Sequence, residues 1–279
     1  MVVFPNAKIN LGLYVTEKRT DGFHNIETVF VPVQGFNDIL EVLANNESKN
    51  DILTTSGIPT DAAADDNLVM KALKLIRKDF FIPPLKIHLH KNIPSGAGLG
   101  GGSSDAAFML RLLNDQFHLK LRSDQLEEKA ATLGADCAFF VRNHPVFAEG
   151  VGNEFSRTEV TLKDLWIMLV IPPIHLSTPA AYKNITPKQP EKSLKEILKM
   201  ETGGWPQNLI NDFEQNAFQN HPKLMEIKKR LYDQGAVYAA MSGSGSAMFG
   251  LFEAKPAIEW SEDYKVWTGE MRQNEERKG

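Results

Sequence analysis

The chain has 279 residues, enough for one large domain or two ordinary ones. Apolar residues make up 42% and charged residues 24%, values typical of soluble globular domains, so disordered, fibrous and coiled-coil classes are excluded. Thirty-one basic residues against 35 acidic ones give a net charge of −4, which provides no broad basic footprint and predicts no nucleic-acid partner.

From Ala7 to Val15 the residues Ile9, Leu11, Leu13 and Val15 alternate with Lys8, Asn10, Gly12 and Tyr14. That two-residue period predicts a half-buried strand with Lys8 and Asn10 on one face. Thr20, Asp21 and Gly22 then signal a turn into a second extended run, Ile26 to Val33, and together they predict a hairpin. Asp66 reads as the N-cap of a helix with Leu68, Ala72, Leu75 and Ile76 on one stripe, ending before Pro83 and Pro84. Leu85 to His90 alternates again as a strand wetted on one side. Residues 94–114, PSGAGLGGGSSDAAFMLRLLN, read as a glycine loop that opens a helix with Ala106, Met109, Leu110 and Leu113 on its buried stripe.

A helix from about Ser123 is expected to stop at Gly134, which leaves Asp136 in a loop or at an element terminus. The pattern loosens from Gly152 to Glu159, and a buried-type strand, Leu165 to Ile171, starts a second unit. The expected domains are residues 1–155 and 156–279. The second contains helical stretches at Ser193–Lys199 and Pro222–Gln234, and a strand AMFGLF after the turn MSGSGS. The charged tail after Trp267 reads as a solvated end.

Five glycines among residues 96–102 strip side chains from a backbone that must turn sharply and admit a ligand to its N–H groups. Phosphate is the natural ligand, because Ser103 and Ser104 sit where the unpaired amides and positive dipole end of the following helix favour an anion. A plain glycine-rich surface turn is the bland alternative. Gly96, Gly98 and Gly101 also satisfy G-x-G-x-x-G, but the preceding strand alternates instead of being buried on both faces, which argues against a dinucleotide-binding fold. No G-x-x-x-x-G-K-[ST], H-R-D or D-F-G occurs, so P-loop NTPases and eukaryotic-type protein kinases are excluded.

His88 and His90 share a strand face without an evident third ligand, which favours a wetted face over a metal site. The single cysteine, Cys137, excludes an intramolecular disulfide and fits a reducing, cytoplasmic compartment. The longest apolar run, Leu165 to Ile171, is far shorter than a spanning helix, and Pro5, Asn6, Lys8 and Asn10 interrupt any secretory core near the start. No membrane association is expected.

PNAKINLGLYV at 5–15, PSGAGLGGGSSDAA at 94–107 and MSGSGSAMFG at 241–250 together resemble the GHMP kinases, ATP-dependent kinases of small molecules. DGFHNIETVF at 21–30, DDNLV at 65–69, LGADCAFF at 133–140, FAEGVG at 147–152 and STPAAY at 177–182 resemble one branch of that family. The resemblance implies an α/β (α+β type) two-domain fold: an N-terminal ribosomal-protein-S5-domain-2-like ATP-binding domain followed by a C-terminal ferredoxin-like domain. It implies ATP and Mg²⁺, and γ-phosphoryl transfer to the 2-hydroxyl of 4-diphosphocytidyl-2-C-methyl-D-erythritol in non-mevalonate isoprenoid synthesis.

By the same resemblance, Asp136 is the catalytic carboxylate near the acceptor hydroxyl and Lys8 the ammonium beside it. Pro94, Ser95, Gly96, Ala97, Gly98, Leu99, Gly100, Gly101, Gly102, Ser103 and Ser104 cradle the ATP phosphates, while Asn67, Leu68 and Lys91 line the nucleoside side. Phe23 and Tyr182 sandwich cytosine, His24 and Asn10 add polar contacts, and Thr178, Gly243 and Ser244 complete the acceptor site. Mg²⁺ is expected mainly on the nucleotide, with Ser104 or Asp105 as chain ligands. The assembly expected is a monomer or weak homodimer. A homoserine or mevalonate kinase of the same family, or a non-catalytic nucleotide-binding protein on the same scaffold, are the alternatives.

Overall fold

The computed structural model describes residues 1–59, 64–183 and 185–271. Its strands are β1 (Val2–Val3), β2 (Asn6–Lys18), β3 (His24–Asn37), β4 (Ile39–Ala44), β5 (Ile52–Gly57), β6 (Leu85–Lys91) and β7 (Val146–Glu149). They continue as β8 (Glu154–Arg157), β9 (Trp166–Ile171), β10 (Tyr238–Met241), β11 (Met248–Phe252) and β12 (Lys265–Glu270). The α-helices are α1 (Leu68–Ile76), α2 (Gly101–Gln116), α3 (Ser123–Ala131), α4 (Phe139–Arg142) and α5 (Thr178–Lys183). After them come α6 (Leu194–Ile197), α7 (Trp205–Asn208), α8 (Phe213–Asn220) and α9 (Pro222–Asp233).

The chain forms two compact units that are interleaved in sequence. One comprises residues 1–7, 35–95 and 100–143, the other 8–34, 96–99 and 144–279. The boundary expected at 155/156 separates consecutive segments and so describes a different kind of division. In the first unit the sheet order is β1-β4-β6-β5. β6 pairs antiparallel with β4 and parallel with β5, and its burial alternates as the sequence predicts, Leu85, Ile87 and Leu89 being inside. Each such side chain removed from water contributes about 1.5–3 kcal/mol. Helix α1 packs on α2, whose buried residues include Ala106, Met109, Leu110 and Leu113.

The N-cap of α1 is Asn67, whose side chain accepts a 2.9 Å hydrogen bond from the Val69 N–H, so the cap expected at Asp66 moves by one residue. Asp and Asn are nearly equivalent caps, and when they are adjacent only the backbone decides between them.

The second unit holds the sheets β2-β3-β7-β8 and β10-β11-β9-β12. The latter is antiparallel throughout, and in chain order its strands stand 2-3-1-4, the ferredoxin-like arrangement. Leu13, Val15 and Ile26 from β2 and β3 share one core with Met168, Val170, Met248 and the α9 residues Leu224, Ile227 and Leu231. That core explains a difference from expectation: β2 is buried on both faces from Asn6 to Val15, not half-buried. Its edge is also covered, with the Leu13 N–H donating to the Ile210 carbonyl and the Lys8 N–H to the Leu99 carbonyl.

The loosened stretch 152–159 contains β8, paired with β7. The region after Trp267 is not simply a solvated end, since β12 runs to Glu270 against β9. The remainder of the expected tail, residues 272–279, lies outside the described residues.

Candidate phosphate-binding and acceptor site

The glycine loop divides its work by residue type. Ala97 and Leu99 bury their side chains, while Ser95 and Gly96 are exposed and Gly98 and Gly100 half-buried. Gly96, Gly98 and Gly100 all have positive φ, between 70° and 77°, a region that side chains rarely tolerate. Gly98 is the most constrained, because a Cβ there would overlap the Ser242 carbonyl oxygen. The MSGSGS turn grips this stretch: Ser242 Oγ donates to the Gly98 carbonyl at 2.9 Å, and the Ala247 N–H donates to the Ala97 carbonyl at 3.1 Å.

Beyond Gly100, the residue at the N-cap of α2, a Cβ on Gly102 would meet only Leu68 Cδ1 at 3.6 Å. Asn67 and Leu68, expected on the nucleoside side, therefore stand next to the start of α2. Ser103 is partly exposed, whereas Ser104 is fully buried and its Oγ has no hydrogen-bond partner.

Lys91 is 3% exposed, with its ammonium enclosed between Asp38 and Asp105, the latter at 2.6 Å. Asp38 also accepts from the Asn92 N–H at 2.5 Å and the Ile93 N–H at 2.8 Å. Both ends of the loop are thus tied to one buried carboxylate–ammonium–carboxylate chain. Any contribution of Lys91 to a nucleoside runs through its main chain or through this brace. Burial pushes the Asp105 carboxyl up; the Lys91 ammonium opposes that shift and the Asp38 carboxylate adds to it. The cation facing Asp105 is therefore the chain's own ammonium.

Lys8 lies on β2 at 3% exposure, its Nζ donating to Asn10 Oδ1 at 2.5 Å and standing 5.0 Å from the centroid of the Phe30 ring. It is not a solvated strand residue. Asn10 in turn donates through Nδ2 to Thr28 Oγ1 at 3.0 Å.

Asp136 lies in the turn between α3 and α4, where the Cys137 N–H returns to the Gly134 carbonyl at 3.1 Å. It does not cap α4, whose N-cap position is Ala138. Burial pushes the Cys137 thiol up to about 11; a hydrogen bond with Ser103 opposes this and the Asp136 charge adds to it. The Asp136 turn thus abuts the start of α2. Asp136 belongs to the first compact unit and Lys8 to the second.

The residues expected around cytosine lie in the second unit. His24 stacks on Tyr182 with centroids 4.9 Å apart, and Tyr182 meets the Phe213 ring edge-on at 4.8 Å. Phe23 is 63% exposed in the β2–β3 turn, so the stacked partner of Tyr182 is His24. Thr178 and Ser244 are hydrogen-bonded through their hydroxyls at 2.9 Å. Gly243 has φ +55°, and its carbonyl accepts from Asn211 Nδ2.

Sequence reasoning missed Asn211, which also donates to the Met241 carbonyl, and Asp38 and Thr28. The partners of Asp38 and Thr28 are distant in sequence and leave no local signal, whereas Asn211 also accepts locally from the Phe213 N–H at 2.9 Å. Among the described residues no three His, Cys, Asp or Glu side chains cluster to hold a metal, and His88 and His90 instead bond to the Thr54 and Ser56 hydroxyls. No described helix is long and apolar enough to cross a membrane.

Bare main chain opening a helix, set in a two-part α/β fold with a ferredoxin-like sheet, defines an α/β protein equipped to bind phosphate. The GHMP kinases N terminal domain matches residues 67–144 and the GHMP kinases C terminal domain residues 188–263. The chain belongs to the GHMP kinase family. Its relatives narrow the branch. The 4-diphosphocytidyl-2-C-methyl-D-erythritol kinase of Bacteroides thetaiotaomicron is 54% identical, covering 97% of this chain and 100% of that one. A crystal structure of 4-(cytidine 5'-diphospho)-2C-methyl-D-erythritol kinase superposes with a TM-score of 0.76 at 32% identity over 90% of each chain. The mevalonate kinase of Methanococcus jannaschii, at 14% identity, a TM-score of 0.71 and 98% coverage of both chains, shares the fold.

Proposed function

We propose that the chain transfers the γ-phosphoryl group of ATP to the 2-hydroxyl of 4-diphosphocytidyl-2-C-methyl-D-erythritol. A bond forms between that oxygen and the γ-phosphorus, the bond to the β,γ-bridging oxygen breaks, and the hydroxyl proton is released with ADP. The observation that carries this reading is the glycine stretch 96–102, held open by the MSGSGS turn and running into the first turn of α2. Relatives of about half identity over nearly the full chain bear the name of this kinase.

In a loose phosphoryl-transfer transition state, alignment and charge neutralisation dominate. Main-chain N–H groups of residues 95–103 hold the phosphates, and the Lys8 ammonium neutralises charge that develops on the transferring group. Asp136 orients the acceptor hydroxyl. Tyr182 and His24 supply the aromatic surface for cytosine, with Phe23 at the rim.

Mg²⁺ neutralises phosphate charge when it is bound with ATP. The Asp105 carboxylate is already engaged by Lys91, whereas the unpartnered Ser104 hydroxyl fits as a donor to the ion or to a phosphate oxygen. A single buried cysteine and the use of ATP support a cytoplasmic enzyme.

The test is phosphorus NMR of the reaction of ATP with the cytidine-diphosphate alcohol. A new phosphomonoester resonance with the diphosphate retained is expected. ATP converted to ADP and inorganic phosphate with no phosphomonoester formed would overturn the assignment.

A further inference from the structure

We infer that Thr28 is a positioning residue for the transfer: it sets the orientation of the Asn10 amide and, through that amide, the direction of the Lys8 ammonium. The inference rests on the role proposed above for Lys8. Thr28 lies on β3 and is completely buried. Its Oγ1 donates its only proton to the Gly12 carbonyl at 2.5 Å, so its lone pairs alone are left for Asn10. The Asn10 Nδ2 group donates to that oxygen at 3.0 Å, which turns Oδ1 towards Lys8 Nζ at 2.5 Å.

With the amide reversed, an NH₂ group would face the ammonium and a carbonyl oxygen would face a hydroxyl whose proton is already committed. Donor would meet donor, and acceptor would meet lone pair. The Asn10 main chain is held independently, its N–H donating to Ser242 Oγ at 3.3 Å, so the free variable is the amide's rotation. The Phe30 ring, 5.0 Å from Nζ, attracts the cation through its face without fixing the direction of any one N–H. Gly12 completes the arrangement: it has φ +68°, and a Cβ there would crowd Leu194 and Leu209. Its carbonyl is therefore presented to Thr28 by a backbone conformation that suits glycine.

The experiment is steady-state kinetics on full-length Thr28→Val, Thr28→Ser, Thr28→Cys and Lys8→Ala, each checked for folding by thermal melting. Hydrogen bonds to charged groups are worth more than neutral ones, so Thr28→Val is expected to lower kcat about tenfold or more while the KM for ATP moves less than about twofold. Thr28→Ser keeps the hydroxyl and is expected to restore kcat to within about threefold of the parent. If the valine variant does not fold, the serine and cysteine variants still decide: cysteine fills similar space with a poor hydrogen-bonding group, and equal kcat for the two would overturn the inference. It would also be overturned by an unchanged kcat in Thr28→Val alongside a severely impaired Lys8→Ala, or by parallel losses in kcat and ATP affinity that serine does not rescue. Unimpaired Lys8→Ala would instead remove the proposed role of Lys8, and this inference with it.

Discussion

Lys8 shows how far a single side chain departs from what its neighbours in sequence suggest. A polar residue in an alternating strand reads as wet, yet this one is buried and its ammonium is held by Asn10. A buried charge persists only where compensating groups surround it. Lys8→Ala is expected to lower kcat far more than ATP affinity, and Asp136→Asn to do the same. A variant of Asp136 with near-normal turnover would remove that carboxylate from the reaction, and a change confined to thermal stability in Lys8→Ala would reduce the lysine to a structural role.

The choice of Lys8 and Asp136 rested on motif resemblance. Their surroundings were not legible, because Leu99, whose carbonyl accepts from the Lys8 N–H, and Ser103, which bonds to Cys137 beside Asp136, approach from far along the chain. The aromatic residues expected around cytosine were legible as a set but not in their pairing, since a stack between His24 and Tyr182 depends on bringing the start of β3 to helix α5, which sequence does not show.

At the scale of elements, the glycine loop was the most legible feature, because glycine density and the helix that follows it are local. Its two kinds of glycine are nevertheless separable only in space. Gly98→Ala places a methyl group against the Ser242 carbonyl at a positive φ, and a thermal melt is expected to show a loss of more than about 1–2 kcal/mol from backbone strain alone. Gly102→Ala meets no such obstacle and improves helix propensity, so stability is expected to be unchanged or slightly raised while the KM for ATP increases. An unchanged KM would move the phosphates away from Gly102.

The brace behind the loop gives a pH prediction. Burial holds the folded Asp105 pKa above its unfolded value against the pull of Lys91, so the folded chain keeps this proton to a higher pH than the unfolded chain does. Its contribution to stability therefore falls as pH rises through and beyond the ordinary carboxylate range. Asp105→Asn removes the titrating group and is expected to flatten this decline in urea unfolding across pH; an unchanged slope would contradict it. Lys91→Met leaves two carboxylates facing one another and is expected to cost about 3–5 kcal/mol in the same assay.

For the molecule as a whole, the sequence pattern revealed β2, β3, β6, β9 and β11 and the helices α1, α2, α3, α6 and α9, but not the remaining strands, and three separated motifs pointed to the family before any tertiary contact was known. The interleaving of the two units was not legible: β2 and β3 lie early in the chain yet share a core with β9, β11 and α9. Such long-range packing also buried both faces of β2 and turned part of the expected tail into β12. The fold is shared with kinases of other alcohols, so acceptor choice has to come from the residues of the site. The most direct test is an ADP-release assay with ATP and three acceptors: 4-diphosphocytidyl-2-C-methyl-D-erythritol, homoserine and mevalonate. Rapid turnover is predicted with the cytidine-diphosphate alcohol alone, and turnover of homoserine or mevalonate at a comparable rate would contradict the account.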